Sequence, residues 1–226
     1  MKILPILFYN DMVKAILNGK KTCTRRIVKP TQFVGNVEMI PNKCRTNMPN
    51  EYIKNKPFML KPYCDMTDSE LIMTAYKKPY QPGDILYVRE TWSEIKNPDG
   101  SHKKYIYKAS DNIVKFKWHP SIYMPKTAAR IWLKVTNVRV ERLQDIDING
   151  IRDEGLDSMN FMTIYKEDID KFKGWEVLWF SIVKKSGINK FGWDVNPWVW
   201  VIEFELYELY DKDDKDIVQA GDKDDK

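Results

Sequence analysis

The chain has 226 residues, of which 43% are apolar and 13% aromatic, enough for one packed domain and too many for a globally disordered chain. No stretch reaches the roughly 20 apolar residues of a membrane-spanning helix, and Cys23, Cys44 and Cys64 lack the C-x-x-C spacing of a zinc knuckle or the even number of a disulfide framework. The net charge of +5 combines −3 from residues 211–226 with +8 from the rest, which favours a phosphate-bearing partner but equally fits a solvated mixed-charge surface.

The first predicted elements are a strand, a short helix and a second strand. The apolar run 3–8 indicates the first strand, and Asn10 has the side chain of a helix N-cap. The apolar face of this helix is expected to consist of Met12, Val13, Ile16 and Leu17. Gly19 stands where a helix often ends in a left-handed residue, and the β-branched, basic run 22–28 follows as a strand.

A long segment without a periodic pattern follows. Residues 31–78 show neither helical nor strand periodicity, and proline recurs there at positions 41, 49, 57 and 62. Because a structureless loop of this length is uncommon inside a compact domain, we interpret the segment as an insert. It is either a functional flap or partly ordered by packing on the rest of the domain.

Strand patterns resume after the insert. A predicted strand covers 85–92, and the Asp-Gly pair at 99–100 predicts a hairpin before the strand 104–109. Two further strands are predicted over 130–136 and 138–143, and the first alternates apolar and polar residues as a two-faced sheet requires. Together these elements indicate a curled antiparallel sheet.

The C-terminal part is predicted to contain two helical segments and a buried closing strand. Residues 147–156 read as a short helix or turn, 163–185 as a longer helix, and 197–206 as the strand. The longer helix carries an apolar stripe that we interpret as core rather than as a ligand platform: Trp175, Leu178, Trp179 and Ile182. The Asp/Lys-rich tail 209–226 is predicted to be disordered, which leaves a single domain over 1–208.

The densest functional signal is the segment 19–26, GKKTCTRR, which places four cations and two hydroxyls directly after the first helix. Strand alternation predicts Thr22, Thr24 and Arg26 on one face, with Lys21 reaching over from the turn. Arg supplies a planar fork for a phosphate or a base edge, and Lys a point charge. The alternative is an exposed basic edge strand whose charges prevent aggregation.

These residues resemble a known family. Gly19-x-Lys21-x-x-x-x-Arg26 is similar to the Gly-x-Lys-x-x-x-x-Arg signature of ASCH domains. Further landmarks of that family occur in its order, at residues 82–86, at Glu154 with Gly155, and at 200–204. Longer strings resemble the larger ASCH proteins of phages and prophages, at 87–92, 107–111, 124–125 and 196–198. The resemblance implies an α+β fold, namely a PUA-like mixed or antiparallel β-barrel flanked by a few helices.

The resemblance also implies a ligand. ASCH domains of this kind are expected to bind RNA, a nucleotide or a nucleoside, and the residues that would do so here are Gly19, Lys20, Lys21, Thr22, Arg25 and Arg26. We expect a cytoplasmic protein with no metal, no other cofactor, no membrane contact and no obligate protein partner.

Two alternatives to simple binding remain open. In small bacterial members the resemblance implies an amidohydrolase acting on N4-acetylcytidine, with Lys21, Thr24 and Glu154 as its catalytic residues; others are thought to cleave RNA. A Thr hydroxyl needs a neighbouring base, which a partly desolvated Lys can supply. A Glu154 carboxylate within about 4 Å of the Lys21 amine, in one concavity with Thr24, would favour catalysis. The other alternative is a phage interaction protein without catalysis.

A second group of residues is expected to line the mouth of the same pocket. It comprises Arg89, Glu90, Trp92 and His119, where aromatic faces would stack on bases. The other interpretations are a core position for Trp92 and an exposed loop position for His119.

Overall fold

The structure, a computed structural model, describes residues 1–29, 67–110, 116–156 and 168–207. The strands in these ranges are β1 (Ile3–Leu7), β2 (Cys23–Ile27), β3 (Ile85–Arg89), β4 (Trp92–Lys96), β5 (His102–Tyr107), β6 (Trp132–Arg142) and β7 (Trp198–Leu206). The helices are α1 (Asn10–Leu17), α2 (Asp68–Ala75), α3 (Ile148–Asp153), α4 (Asp168–Ile182) and α5 (Ile188–Phe191). The predicted α+β class is therefore confirmed. None of these helices has the length and apolar character needed to cross a lipid bilayer.

Five strands form one mixed sheet in the order β1-β3-β6-β7-β2. The pair β1 and β3 is parallel, and the other three pairs are antiparallel. A separate two-stranded sheet is formed by β4 and β5. The mixed sheet agrees with the prediction, but no ladder joins the edge strands β1 and β2 within the described ranges, so the predicted closure into a barrel is not present there.

A side chain connects the two edges of this open sheet. The Arg26 guanidinium on β2 donates through Nη2 to the carbonyl oxygen of Leu7 on β1, at 2.7 Å, and lies 5.4 Å from the centroid of the Phe8 ring. The sheet therefore curls far enough for its edges to approach each other. We call this gap between β1 and β2 the seam.

The strand β7 lies at the centre of the sheet between β6 and β2. Its residues Val199, Trp200, Val201 and Ile202 are all buried, so both faces of the strand are covered. A central strand covered on both faces reads as a continuous apolar run. The prediction of a buried strand in this part of the sequence is confirmed.

Helix α1 differs from the prediction in its start and its buried face. Tyr9 holds the N-cap position and no side chain caps the helix, so the prediction of Asn10 as the N-cap is wrong. The buried residues of the helix are Met12, Val13, Ala15 and Ile16. Three of the four predicted residues are therefore buried, but Ala15 takes the place of Leu17, which is 44% exposed.

The apolar stripe of α4 is buried as predicted. Trp175 and Trp179 are each 1% exposed and belong to the main core cluster, with ring centroids 6.0 Å apart. Leu178 is also buried, and Ile182 packs against the cluster.

The strands predicted over 130–136 and 138–143 are one continuous strand, β6. An irregularity in its pairing with β7 lies between Val135 and Asn137, where the polar residues Thr136 and Asn137 are both exposed. An inserted residue of this kind locally resets the alternation without ending the strand, so the pattern was misread as a break.

The predicted insert contains regular structure at its C-terminal end. Helix α2 begins after Thr67, whose side chain and that of Glu70 form a reciprocal capping box. The prediction of no periodic element over 31–78 is wrong for this part, because an eight-residue helix with a low amphipathic signal was overlooked. The rest of the insert and the predicted tail 209–226 lie outside the described residues. The hairpin predicted at Asp99 and Gly100 is present between β4 and β5, with Gly100 at φ +85°.

Candidate ligand-binding site

A cavity of about 360 Å³ lies at the seam. Its volume is within the range of about 300 to 1,000 Å³ that small-ligand sites occupy. Polar lining comes from Thr24, Arg25, Arg26, Lys29 and Glu154. Aromatic lining comes from Tyr9, Tyr80, Trp175 and Trp179. We call this space the seam cavity.

A buried ion pair links the turn before β2 to the end of α3. The Lys21 ammonium donates to Glu154 Oε2 at 2.5 Å and to the Glu154 carbonyl oxygen at 3.1 Å. The Lys21 side chain is fully buried, and that of Glu154 is 2% exposed. Glu154 lines the seam cavity together with Thr24, whereas Lys21 is not among its lining residues.

Arg25 completes this cluster of charges. Its Nη1 lies 3.3 Å from Glu154 Oε1, and its Nε donates to Glu141 Oε1 at 2.7 Å. Burial works against the charged guanidinium, but the carboxylates of Glu154 and Glu141 outweigh it and raise the pKa of Arg25 above its usual value. The cluster of Lys21, Arg25, Glu141 and Glu154 therefore balances two positive with two negative charges.

Two groups at the cavity wall have unused hydrogen-bonding capacity. The buried indole Nε1 of Trp175 has no hydrogen-bond partner in the described part of the chain. Buried polar groups normally find a partner. The Thr24 hydroxyl, in a residue that is 4% exposed, makes no side-chain hydrogen bond with another described residue. Both groups are therefore candidate contacts for a ligand.

The backbone brings the distant Lys21 and Glu154 together. The two residues form an isolated antiparallel bridge, and the Thr22 amide donates to the Asp153 carbonyl oxygen at 2.8 Å. Gly155 follows at φ +81°, and a Cβ there would lie 2.7 Å from Ala15 Cβ and 2.9 Å from Lys21 Cβ. The close approach of the two segments thus requires glycine at this position.

Cys23 lies beside the charge cluster without taking part in nucleophilic chemistry. Its thiol is 3.5 Å from Arg25 Nη1. Burial, with a smaller contribution from the charge of Glu154, raises the pKa of Cys23 to about 12. The thiol is therefore protonated at neutral pH, and it is the thiolate that attacks electrophiles.

Four of the residues expected to bind ligand from the segment 19–26 are not among those that line the seam cavity, and one of the four is the buried Lys21. Gly19, Lys20 and Thr22 are exposed and do not line it. Thr22 was expected to share one strand face with Thr24 and Arg26, but its side chain is exposed to solvent. Its backbone forms hydrogen bonds with Asp153 and Phe204. Arg25 lines the cavity instead, alongside Thr24 and Arg26.

The second expected group lies elsewhere in the molecule. Arg89 donates to the carbonyl oxygens of Met124 and Ile122, at 2.8 and 2.6 Å. The buried Glu90 accepts from Arg130 through both carboxylate oxygens, at 2.8 and 3.0 Å.

Trp92 and His119 belong with this second group. They exchange two backbone hydrogen bonds and hold their rings 5.1 Å apart. None of the four residues Arg89, Glu90, Trp92 and His119 is among the residues that line the seam cavity. Sequence proximity to a strand end does not reveal that the partners of Arg89 and Trp92 lie in the loop 117–124, or that Glu90 pairs with Arg130.

Sequence reasoning does not single out several residues of the site, among them Tyr80 and Glu141, and it places Trp175 in the core rather than at a ligand. The alternation of β6 places Glu141 beside the buried Val140, but nothing in the sequence identifies Arg25 as its partner. Within the described part of the chain, no group of three His, Cys, Asp or Glu residues could hold a metal ion.

Comparisons with known proteins add little information about the function of this site. No family model and no curated protein matches the chain. A solved structure, the high-resolution crystal structure of an ASCH domain from Lactobacillus crispatus JV V101, is similar over 91% of this chain and 79% of that chain. The identity is 12% and the TM-score 0.34. A likeness at this level does not establish a shared family, so the site geometry has to carry the functional argument.

Proposed function

We propose that the chain binds RNA, a nucleotide or a nucleoside, and that the seam cavity takes the base. The observation that carries this proposal is the combination of groups on one wall. A hydroxyl from Thr24, guanidinium groups from Arg25 and Arg26 and a carboxylate from Glu154 face a space that aromatic side chains also line. This composition matches the two surfaces of a base, which are a flat aromatic face and a polar edge.

The aromatic residues supply the nonspecific part of the binding energy. Base stacking on an aromatic side chain contributes about 1 to 3 kcal/mol where it has been measured by alanine substitution. Tyr9, which is exposed, and the half-buried Tyr80 are available for this contact. The orphan indole N–H of Trp175 offers a hydrogen bond to an acceptor such as a base carbonyl.

The charges favour a ligand with phosphate or an electron-rich edge. Arg25, Arg26 and Lys29 line the cavity against the one carboxylate of Glu154, and the chain as a whole carries +5. A basic concavity raises the local concentration of anionic ligands. The ASCH-like residues at 19–26 and 154–155 support the same class of ligand.

Calorimetric titration of the wild type and Thr24→Val with cytidine, cytidine monophosphate, N4-acetylcytidine and a short RNA tests the proposal. Valine keeps the shape of threonine and removes the hydroxyl. Loss of one ligand hydrogen bond is expected to weaken binding by about 1 kcal/mol, or roughly fivefold. Thr136→Val, an exposed threonine on β6, is the matched control and should bind as the wild type does. Equal affinities for all three proteins would overturn the placement of the ligand.

Amide hydrolysis is a second candidate function, favoured by the 2.5 Å contact between Lys21 and Glu154. Transfer of the shared proton from Nζ to Oε2 would give a neutral amine and a carboxylic acid. The amine could then accept the Thr24 proton as the hydroxyl oxygen attacks an acyl carbon, and the acid could protonate the leaving amine as the C–N bond breaks. Water would release the acyl group from Thr24. Because Lys21 does not line the cavity, its amine must move away from Glu154 to act in this way.

Incubation with N4-acetylcytidine, followed by chromatography of cytidine and acetate, separates this candidate from binding alone. Hydrolysis predicts product from the wild type and none from Thr24→Val or Lys21→Met. Thr136→Val should retain full turnover. Cleavage of end-labelled RNA under the same conditions is the result that a ribonuclease predicts. If N4-acetylcytidine or RNA binds but no product forms, binding is the only function that remains.

The third alternative, a phage interaction protein without a ligand, makes the opposite prediction. None of the nucleosides, nucleotides or RNA should then bind in any titration. The presence of a cavity of ligand size with both polar and aromatic lining favours a ligand over this alternative.

A further inference from the structure

A second concave surface adjoins the seam cavity. It encloses about 610 Å³, and Pro79 and Tyr80 line both spaces. The basic residues on its wall are Lys2, Lys77 and Lys78. We call it the lysine cavity.

The three ammonium groups of the lysine cavity are available to a ligand. None of them forms an ion pair with a residue in the described ranges. The acidic lining residue, Asp84, is 5% exposed and its two carboxylate oxygens accept from the backbone amides of Lys2 and Gln81, at 2.8 and 3.0 Å. The cavity thus has a net charge of +2 among these four residues, and its one carboxylate is already occupied by backbone donors.

Separate elements place these cations around one space. Lys77 and Lys78 follow the end of α2, and Lys2 precedes β1. The bond from the Lys2 amide to Asp84 joins the start of β1 to the turn before β3. Lysines gathered around one open concavity raise the local positive potential, which favours an anion there.

Tyr80 forms the wall between the two cavities. Its hydroxyl donates to the Pro5 carbonyl oxygen at 2.8 Å, which fixes the side chain against β1. Burial raises the pKa of Tyr80 despite the nearby Arg26, so its hydroxyl is neutral at physiological pH. A ligand that fills both cavities would therefore pass over a fixed, uncharged aromatic side chain.

We propose that the ligand of the seam cavity is one nucleotide within a single strand, and that the lysine cavity holds the phosphates of its neighbours. This inference rests on the proposed function of the seam cavity. A free nucleoside would leave the three lysines without a role, whereas a strand needs cations next to the base pocket. Entry of a base into the seam cavity requires that it be unpaired and unstacked, which excludes an intact duplex.

The test compares cytidine with a five-nucleotide RNA on the wild type and on Lys77→Gln/Lys78→Gln. We expect the RNA to bind at least about tenfold more tightly than cytidine to the wild type, because it adds phosphate contacts. The double variant should lose most of this advantage and bind cytidine unchanged. The slope of log K against log salt for the RNA should fall by about 0.7 per lost contact, or roughly 1.4.

The matched control removes the same charge elsewhere. Lys104 and Lys184 are exposed and line neither cavity. Lys104→Gln/Lys184→Gln should therefore bind RNA with nearly the wild-type salt slope. An equal effect of both double variants, RNA bound no more tightly than cytidine, or equal affinity for a duplex would each overturn the inference.

Failure of the proposed function gives a different result. If cytidine does not bind, or if Thr24→Val leaves both affinities unchanged, the seam cavity does not hold a base and both proposals fall. Suppose that Thr24→Val weakens the binding of both cytidine and RNA, while Lys77→Gln/Lys78→Gln weakens the binding of neither. The seam cavity then binds a free nucleoside, and only the proposal of a single-stranded RNA ligand is excluded.

Discussion

At the scale of single residues, the most consequential feature is the buried charge cluster of Lys21, Arg25, Glu141 and Glu154. Removing charges from water costs several kcal/mol each, and close pairing regains most of this. Such a cluster adds little net stability. Glu154 nevertheless matters, because its loss leaves the buried Lys21 without an ion-pair partner in the described part of the chain.

Glu154→Gln should therefore lower the stability of the domain. Lys21 would keep neutral oxygen acceptors at position 154 but would lose its negatively charged partner, whereas Arg25 would keep Glu141. We expect the free energy of unfolding to fall by about 3 kcal/mol, the lower end for a broken buried ion pair. Urea unfolding followed by tryptophan fluorescence measures this change.

Glu205→Gln provides the control for this measurement. Glu205 lies 3.9 Å from Lys134, and both side chains are about half exposed. Exposed pairs of this kind contribute between about 0 and 1 kcal/mol. If the two substitutions cost the same, Lys21 and Arg25 do not depend on the Glu154 carboxylate as the structure indicates.

The sequence revealed part of this residue-scale arrangement. Local spacing was enough to select Lys21, Thr24 and Arg26, because they lie within six positions and follow a helix end. Glu154 was singled out only through a family resemblance, and its 2.5 Å contact with Lys21 is a feature of the tertiary structure. The paired Glu141 and the orphan Trp175 depend on packing across the sheet, which local spacing does not encode.

At the scale of elements, the approach of α1, the turn before β2 and the end of α3 positions the site. Gly155 is the point of closest contact between these elements. Gly19, at φ +65°, ends α1 with open space around its α-carbon. The two glycines share a left-handed backbone and differ in crowding.

Gly155→Ala should destabilise the protein more than Gly19→Ala. A left-handed alanine costs about 1 to 2 kcal/mol at either position. At Gly155 the added methyl also overlaps Ala15 and Lys21, and overpacking adds about 1 to 3 kcal/mol. Thermal unfolding of both variants should show the larger decrease in Tm for Gly155→Ala, which should also weaken ligand binding. Equal decreases would mean that α3 moves away from α1 without cost.

Element boundaries show why periodicity alone is an incomplete guide. The pattern of β6 contains two adjacent exposed polar residues, Thr136 and Asn137. Such a pair is compatible either with the end of a strand or with a bulge inside one. Only pairing with β7 on both sides of the irregularity distinguishes them. In α1, both candidate stripes are apolar, and the position of the core decides that Ala15 is buried and Leu17 exposed.

At the scale of the whole molecule, the five-stranded sheet and the β4–β5 hairpin should differ in local stability. The strand β7 is hydrogen-bonded on both sides and is buried over Val199, Trp200, Val201 and Ile202. The hairpin forms its own two-stranded sheet. The amide hydrogen bonds of a central, buried strand break only when the whole domain unfolds. Those of a small two-stranded sheet can break by local unfolding.

Hydrogen exchange followed by mass spectrometry should therefore show the slowest exchange in peptides covering β6 and β7. Peptides covering β4 and β5 should exchange at least about tenfold faster, because their opening requires less than global unfolding. Equal protection of both regions would indicate that the hairpin opens only together with the main sheet.

Local sequence was enough to predict the hairpin at Gly100, the buried character of β7 and the apolar stripe of α4, and to pick out the basic segment after α1. Side-chain period and turn chemistry act between residues that are close together in the chain. The α+β class was implied by a family resemblance. The tertiary structure alone decided the strand order, the open seam between β1 and β2, the cavities on either side of Tyr80 and the separation of Trp92 from Thr24. These features depend on contacts between residues far apart in the chain, such as Lys21 with Glu154 and Thr22 with Phe204. Such contacts form only when a common core brings distant segments together.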